Sequence, residues 1–457
     1  MPRAIVVLAA ALLAACGGDP AAGPADGGAD GALCVGAAPA LPGPGAGEPL
    51  LIGAEGVPRE LLGAVEAPRF DEAFADLAAS GFDTYVPPAD DLLGYFLPPD
   101  ALGPGAPPAE RSCASAASPY RAAAGRLRVV APAAALVPAA ERAAALDAAA
   151  LAVRLDALVA TCLAGDDAGL AGWASFAAPA GGRVLAVEAG APALDLANVG
   201  ALAAAVRARS QRPLLLVEEP LPFTLAVDPA FAALPAERRA AMTADFWSGV
   251  AATAPTADWY GFTVAPVPLS WDLGVGGDWV LEAAARAPQA RPLAALQGCG
   301  AADLGGTGRR PEAPEARYQA FDAVLHGARG LLWSGQGAMA LVPDHELWDG
   351  IRATARELRD LAPLLDAPRT PLRATGADLV DARLVDGVIW AVAALRSDWD
   401  SALIVEVPPP PAGAATSFSL WVPGRATPLI TVAYAPGALV SLALDRWGLQ
   451  VFAITYC

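Results

Sequence analysis

Six carboxylates stand beside apolar runs of this chain: Glu55, Glu188, Glu218, Glu219, Asp258 and Asp272. A carboxyl at the end of a buried strand can act as general acid, base or nucleophile, because the strand fixes its position. Glu219, after the apolar run Leu214–Val217, is the most attractive, with Glu188 and Asp258 as the other catalytic candidates. Side chains alternate along a strand, so at most one of Glu218 and Glu219 faces inward. The competing role for each acid is a helix cap or a bond to loop amides. Trp173, Trp259, Trp271 and Trp333 lie at or just after other apolar runs. An indole face stacks on a flat apolar ligand or simply fills a core. Trp271 and Trp333, with Gln297 and Glu55, are the candidate ligand contacts. His326 and His345 are the only histidines, which argues against a His-rich metal site, and no two cysteines form a CxxC pair. No metal and no cofactor is expected.

These residues need a scaffold, and the periodicity supplies one. Apolar runs at Leu50–Ala54, Phe82–Val86, Arg126–Ala131, Leu170–Phe176, Pro213–Val217, Trp259–Val264, Pro292–Gln297 and Gly330–Ser334 read as eight strands. Helical stretches lie between them: 70–80, 139–163, 195–209, 237–252, 279–286, 315–326 and 345–365. In 139–163 the residues Leu151, Leu155, Leu158 and Cys162 make one buried stripe. Continuous apolar strands between amphipathic helices mean a parallel sheet covered by helices. Eight such units favour a closed (β/α)8 TIM barrel over an open doubly wound sheet. Val184–Val187 is read as part of the fourth connection. No GxGxxG follows the first strand, which weakens a dinucleotide-binding role. After Pro371 the pattern changes to short runs separated by turn signals such as Asp386-Gly387 and Pro436-Gly437, which predicts a small antiparallel β-sandwich. No polar linker separates it from the barrel, so the two are expected to pack together. Glu315, after Pro314, reads as a helix-opening carboxylate, and His326, before Gly327, as a helix cap.

The amino terminus carries an address. Arg3 precedes the apolar run Ala4–Leu12, which closes on Leu13-Ala14-Ala15-Cys16. The run is too short to span a bilayer and reads as a secretory signal. Its closure resembles the lipobox of bacterial lipoproteins, which implies cleavage before Cys16 and lipid attachment there. The competing reading is an ordinary signal peptide with a chance cysteine. The partner implied is a lipid bilayer, at the exported side of the bacterial cell envelope. Residues 17–47 are Gly, Ala, Pro and Asp with little to bury and read as a flexible tether. The segments are therefore signal 1–15, tether 16–48, barrel 49–368 and sandwich 371–457. An exported chain permits disulfides, and Cys113 with Cys162 is the favoured pair, since both lie near the ends of helical segments in neighbouring units.

The net charge is −18, and all 30 basic residues are arginine. An acidic chain without a basic stripe excludes nucleic acid as a partner. The abundance of Ala, Gly and Pro fits a GC-rich genome, which weakens alanine as a structural signal.

Several segments in order resemble the barrel-plus-sandwich glycoside hydrolases. They are Gly81-Phe82-Asp83-Thr84, Gln211-Arg212-Pro213-Leu214-Leu215, Arg291-Pro292-Leu293-Ala294-Ala295-Leu296-Gln297, Glu315-Ala316-Arg317, Gly327-Ala328-Arg329-Gly330-Leu331-Leu332-Trp333, and Leu347-Trp348 with Glu357, Leu358 and Leu361. The resemblance spans roughly Leu50 to Leu365 and implies a carbohydrate ligand, an oligo- or polysaccharide. Hydrolysis in that family needs two carboxylates, about 5 Å apart for retention and about 6.5–9.5 Å apart for inversion. The chain departs from the family at those positions. Where an Asp-Glu-Pro commonly ends the fourth strand, it has Ala177-Ala178-Pro179; where an Asp-x-Tyr-Pro often follows Asp258, it has Val264-Ala265-Pro266; the seventh strand ends in Gln297. Three readings stay open: a catalytically degraded barrel that binds a glycan, an active glycosidase with carboxylates relocated to Glu188, Glu219 or Asp258, and a structural surface lipoprotein.

Overall fold

The computed structural model describes residues 38–41, 49–63, 69–87, 113, 118–132, 146–163, 170–175, 196–218, 220–227, 231, 233–264, 266–267, 272–298, 309–334, 345–396, 400–410, 415–423, 425–445 and 447–456. Eight strands, β1 (Leu51–Glu55), β2 (Thr84–Val86), β3 (Arg128–Pro132), β4 (Leu170–Ser175), β5 (Leu214–Glu218), β6 (Trp259–Val264), β7 (Arg291–Gln297) and β8 (Gly330–Ser334), close in sequence order into a parallel barrel. The closure runs from Leu51 opposite Gly330 to Ala54 opposite Trp333. Around it lie α1 (Arg59–Leu62), α2 (Phe70–Ala79), α3 (Pro119–Ala123), α4 (Ala148–Cys162), α5 (Leu196–Arg207), α6 (Leu221–Val227), α7 (Ala236–Thr253), α8 (Val275–Arg286), α9 (Ala313–Leu325) and α10 (His345–Leu365). The sequence pattern predicts this architecture; it misses the short helices α1, α3 and α6. Val184–Val187 lies outside the described residues.

Each strand gives one face to the interior. Leu51, Val86, Val130, Ala171, Leu215, Val217, Trp259, Leu293, Ala295 and Leu332, drawn from all eight strands, form a single buried cluster. The opposite face meets helices: Leu216, Tyr260 and Phe262 pack with Leu221, Met242, Phe246, Val250 and Ala283. Both faces being apolar is what a helix-covered parallel sheet requires. The last helix ties back to the first strands. Arg359 of α10 donates to the carbonyls of Leu50 and Gly81 and to Asp83 Oδ2 at 2.9 Å. Asp83 Oδ1 in turn accepts from the Ile52 amide and the Thr84 hydroxyl. The first turn of α9 carries a capping box in which Glu312 and Glu315 exchange bonds with each other's backbone, and Arg309 grips Glu315 with two contacts of 2.7 Å. Glu315 is therefore structural, as its position after Pro314 predicts. Cys113 and Cys162 form the expected disulfide, which joins the β2–α3 connection to the end of α4.

The C-terminal strands are β9 (Arg373–Thr375), β10 (Leu379–Val385), β11 (Val388–Ala394), β12 (Ser401–Glu406), β13 (Ser417–Trp421), β14 (Ile430–Ala433), β15 (Leu439–Leu444) and β16 (Leu449–Tyr456). They make two antiparallel sheets, β10-β11-β16-β13-β14 and β15-β12-β9. Ile389, Phe418, Leu420, Phe452 and Ile454 of one face Leu403, Val405, Val440 and Leu442 of the other in a shared core. Asp386 and Gly387, at φ 50° and 81°, make the two-residue turn between β10 and β11. Positive φ at both central positions is what such a hairpin demands, and the Asp-Gly pair supplies it.

Candidate functional site at the barrel mouth

In a closed parallel barrel the C-terminal strand ends form one rim, where this architecture places its chemistry. Glu55 and Gln297 reach that rim as the last residues of β1 and β7. Both share the parity of inward residues on their strands, Leu51 for Glu55 and Ala295 for Gln297. Glu55 is half-buried. Burial pushes the Tyr85 phenol up, and the Glu55 charge adds to that push.

Gln297 is 3% exposed, and its amide is already used. Nε2 donates to the Val267 carbonyl at 2.7 Å, and Oε1 accepts from the Val267 amide at 3.0 Å. This two-point clamp fixes the start of the β6–α8 connection. As a ligand contact Gln297 is therefore corrected to a loop fastener. The inward position that ends β7 holds a neutral amide and no carboxylate.

Asp258 is also corrected. It precedes β6 and stands at the opposite, N-terminal rim. Its carboxylate accepts from the Leu214 amide at 2.7 Å and from Arg207 at 3.1 Å. An acid leading into a strand lies at the wrong end of the barrel for the mouth.

The tryptophans separate in the same way. Trp333 is 0% exposed and packs against Phe82, with centroids 5.7 Å apart, on the helix-covered face of β8; its neighbour Leu332 takes the inward place. It is a wall residue and not a ligand contact. Trp259 lies inside the barrel at the N-terminal end of β6, beneath the Arg291 guanidinium at 5.1 Å. Trp173 is buried and donates its indole N–H to Ser210 at 2.9 Å. Asp272 is exposed and accepts from the Gly274 amide. Cys16, Glu188, Glu219, Trp271 and Ala177-Ala178 lie outside the described residues. Among the described residues no group of three or more His, Cys, Asp or Glu is placed to hold a metal ion, and no helix is long and apolar enough to cross a membrane.

Two buried polar clusters escape the sequence reading. Glu218 is 0% exposed and takes the outward face of β5, one step past inward Val217. Thr253 Oγ1 donates to its Oε1 at 2.9 Å. Burial pushes the Glu218 carboxyl up to about 7, partly offset by Thr253 and by the nearby Tyr260 hydroxyl. Tyr260 stands beside the carboxyl without full hydrogen-bond geometry to Oε2. The second cluster joins α9 to α8. Asp322, 0% exposed, accepts from the Gly277 amide at 2.7 Å. His326, the cap residue of α9, places Nδ1 2.8 Å from the Asp322 carbonyl and 3.2 Å from its Oδ1. These contacts, the side-chain one foremost, raise the His326 pKa above its ordinary value. A Cβ at Gly277 would lie 2.1 Å from His326 Nδ1, so only glycine fits there. The sequence signal for this cluster is Gly276-Gly277 opening a helix, together with Asp322 and His326 four residues apart.

No protein-family profile and no curated protein matches the chain. Solved structures do. A glycoside hydrolase of family 5 from Bacteroides vulgatus aligns at 11% identity and TM-score 0.51, covering 89% of this chain and 88% of that one. A family 27 β-L-arabinopyranosidase from Geobacillus stearothermophilus aligns at 11% identity and TM-score 0.49 over 90% of this chain and 97% of the other. A family 30 endoxylanase from Clostridium papyrosolvens gives 12% identity and TM-score 0.46 over 90% and 97%. At 11% identity the alignment with the family 5 enzyme shows a shared fold, the (β/α)8 barrel.

Proposed function

We propose that this chain is an exported, envelope-anchored lipoprotein whose barrel binds a carbohydrate without hydrolysing it efficiently. The observation that carries the reading is Gln297. At the inward end of β7 it offers a neutral amide whose two polar ends are engaged by Val267. Such a group neither attacks a sugar carbon nor supplies a proton, so the two-carboxylate mechanism lacks a partner at this position. The Ala177-Ala178 stretch, where the resemblance calls for two acids, supports the same reading from sequence. Export is supported by the lipobox-like Leu13-Ala14-Ala15-Cys16 and by the Cys113–Cys162 disulfide, since such bonds persist in oxidising compartments. Glu55 and Trp271 remain as the polar and stacking contacts to a sugar.

One observation favours a second reading, an active glycosidase. Glu218 is taken up on the outward face of β5 by Thr253, and the sequence offers Glu219 and Glu188 as further acids.

The test is titration calorimetry of the soluble chain against a panel of oligosaccharides. Saturable binding that weakens about tenfold or more in Trp271→Ala supports the binding reading, since truncating an aromatic hot spot costs about 2 kcal/mol or more. Turnover that disappears in Glu219→Gln promotes the second reading. Neither binding nor turnover leaves a structural surface lipoprotein. Detergent-phase partitioning tests the anchor: Cys16→Ser should move the chain to the aqueous phase, and an aqueous wild type would remove it.

A further inference from the structure

The barrel closes on itself, but the two C-terminal sheets end in edge strands, whose unpaired backbone groups can join another chain. Three of their four edges are guarded among the described residues. β10 is backed by the segment before it: the Thr370 amide donates to the Ala382 carbonyl, and Arg369 makes a backbone bridge to Arg383. β9 is three residues long and carries Arg373, which pairs with Glu406 at 3.7 Å. β14 has only four residues. β15 differs. Its one neighbour among the described residues is β12, and neither proline, glycine nor a break in register interrupts it. The stretch 426–444 around it holds no charged residue, in a chain of which 17% is charged, so the usual guard against edge pairing is missing. The ladder fixes which of its groups are open. The Val407 amide donates to the Ala438 carbonyl, so 438, 440, 442 and 444 bond to β12, and the backbone groups of Leu439, Ser441 and Ala443 point to the free side. The Ser441 and Ala443 side chains are exposed, and opposite them on β12 lie exposed Ile404 and Ala402. Val440, Leu442 and Leu444 fill the core beneath.

We infer that β15 is a pairing edge for a second copy of this chain, joined antiparallel about a twofold axis at Ser441. In that register Leu439 meets the partner's Ala443, and Ser441 meets the partner's Ser441. Each pair exchanges both of its N–H···O bonds, so an identical edge satisfies every open group of this one. Charge selects the same occupant. Two copies at −18 repel each other, and an uncharged edge is where they meet without opposing like-charged side chains. Asp445, the first charge beyond the strand, falls opposite the partner's Gly437 and not opposite its own mate. The inference needs only the sandwich and stands apart from the proposed carbohydrate ligand.

Sedimentation equilibrium of the whole chain from about 1 to 100 µM, with Cys16→Ser so that no lipid associates the copies, tests it. The mass should rise toward twice that of the monomer. It should rise more readily at about 0.3 M salt than at about 0.02 M, because screening weakens the net repulsion and the edge contributes no ion pair. Hydrogen–deuterium exchange locates the contact: the Leu439, Ser441 and Ala443 amides should slow about tenfold or more as the dimer fills, while β9 stays level. Ser441→Pro removes an amide that β12 does not use, and Ser441→Lys sets two like charges at the axis. Each should raise the dimer dissociation constant about tenfold or more. The lysine variant, altered only at an exposed side chain, should keep the wild-type unfolding midpoint. A wild type that stays monomeric at about 100 µM, or a dimer that Ser441→Lys leaves unchanged, would overturn the inference. Slow exchange of the three amides at every concentration would overturn it too, since the edge would then be covered within one chain.

Discussion

The two rims of the barrel are fastened differently. At the N-terminal rim, side-chain charges lock backbone to backbone: Arg359 holds Leu50, Gly81 and Asp83, and Asp258 joins Arg207 to the Leu214 amide. At the C-terminal rim the described fastening is a neutral one, the Gln297–Val267 clamp, and Glu55 is the one described strand-end carboxylate of inward parity. A charged residue next to a barrel strand therefore means different things at the two ends. Before the strand it closes the barrel; after it, it can meet a ligand.

The largest effect should come from the covalent fastener. Cys113→Ser opens a loop closed over a sequence separation of 49 residues and should cost about 4 kcal/mol, read from the shift of the urea midpoint. A loss under about 1 kcal/mol would mean that the noncovalent fastenings suffice. Next comes Glu218. Its folded pKa of about 7 lies above the ordinary 4.5, so the folded state keeps a proton that the unfolded chain releases. Unfolding free energy should therefore fall as pH rises from about 4.5 to about 7, and stay reduced above it. Glu218→Gln, which does not titrate, should gain about 3 kcal/mol over the wild type at pH 8 relative to the comparison at pH 4. Equal midpoint differences at the two pH values would refute this.

The smaller effects compare the rims directly. Gln297→Glu removes the donor to the Val267 carbonyl and sets a charge against it, and should cost about 2 kcal/mol. Asp258→Asn keeps an acceptor for the Leu214 amide and loses only a half-exposed ion pair, about 0.5–1 kcal/mol, with saccharide affinity unchanged. If Asp258→Asn alters ligand binding while leaving stability alone, the assignment of Asp258 to the closed end fails.

The fold was legible because strand and helix alternate with clear apolar periods, and β6, β8 and α10 run over the very residues that the pattern predicts. The rim assignments were less legible. Leu331, Leu332 and Trp333 are all fully buried, so hydrophobicity alone does not tell which face of β8 looks inward; only the closed barrel places Leu332 inside and Trp333 against the helix layer. The Glu218–Glu219 alternation was readable, but its phase was not. Asp258 misleads for another reason. A single 3-10 turn, Ala254–Thr256, leads from α7 almost directly into β6, so the acid sits at the strand's beginning although it neighbours an apolar run. The Cys113–Cys162 pairing was predictable from helix ends in neighbouring units; the i,i+4 spacing of Asp322 and His326 is local, but their meeting with Gly277, and that of Glu218 with Thr253, joins segments at least 35 residues apart that no local pattern connects.

The central claim is that the C-terminal rim binds a sugar but lacks the paired carboxylates that cleave one. It is tested most directly by incubating the purified chain with aryl glycosides and natural oligosaccharides and following products by mass spectrometry. Loss of general acid catalysis alone costs roughly 10²–10⁴-fold, so release should stay near the enzyme-free rate. Sustained turnover by the wild-type chain, abolished in Glu219→Gln, would contradict the account.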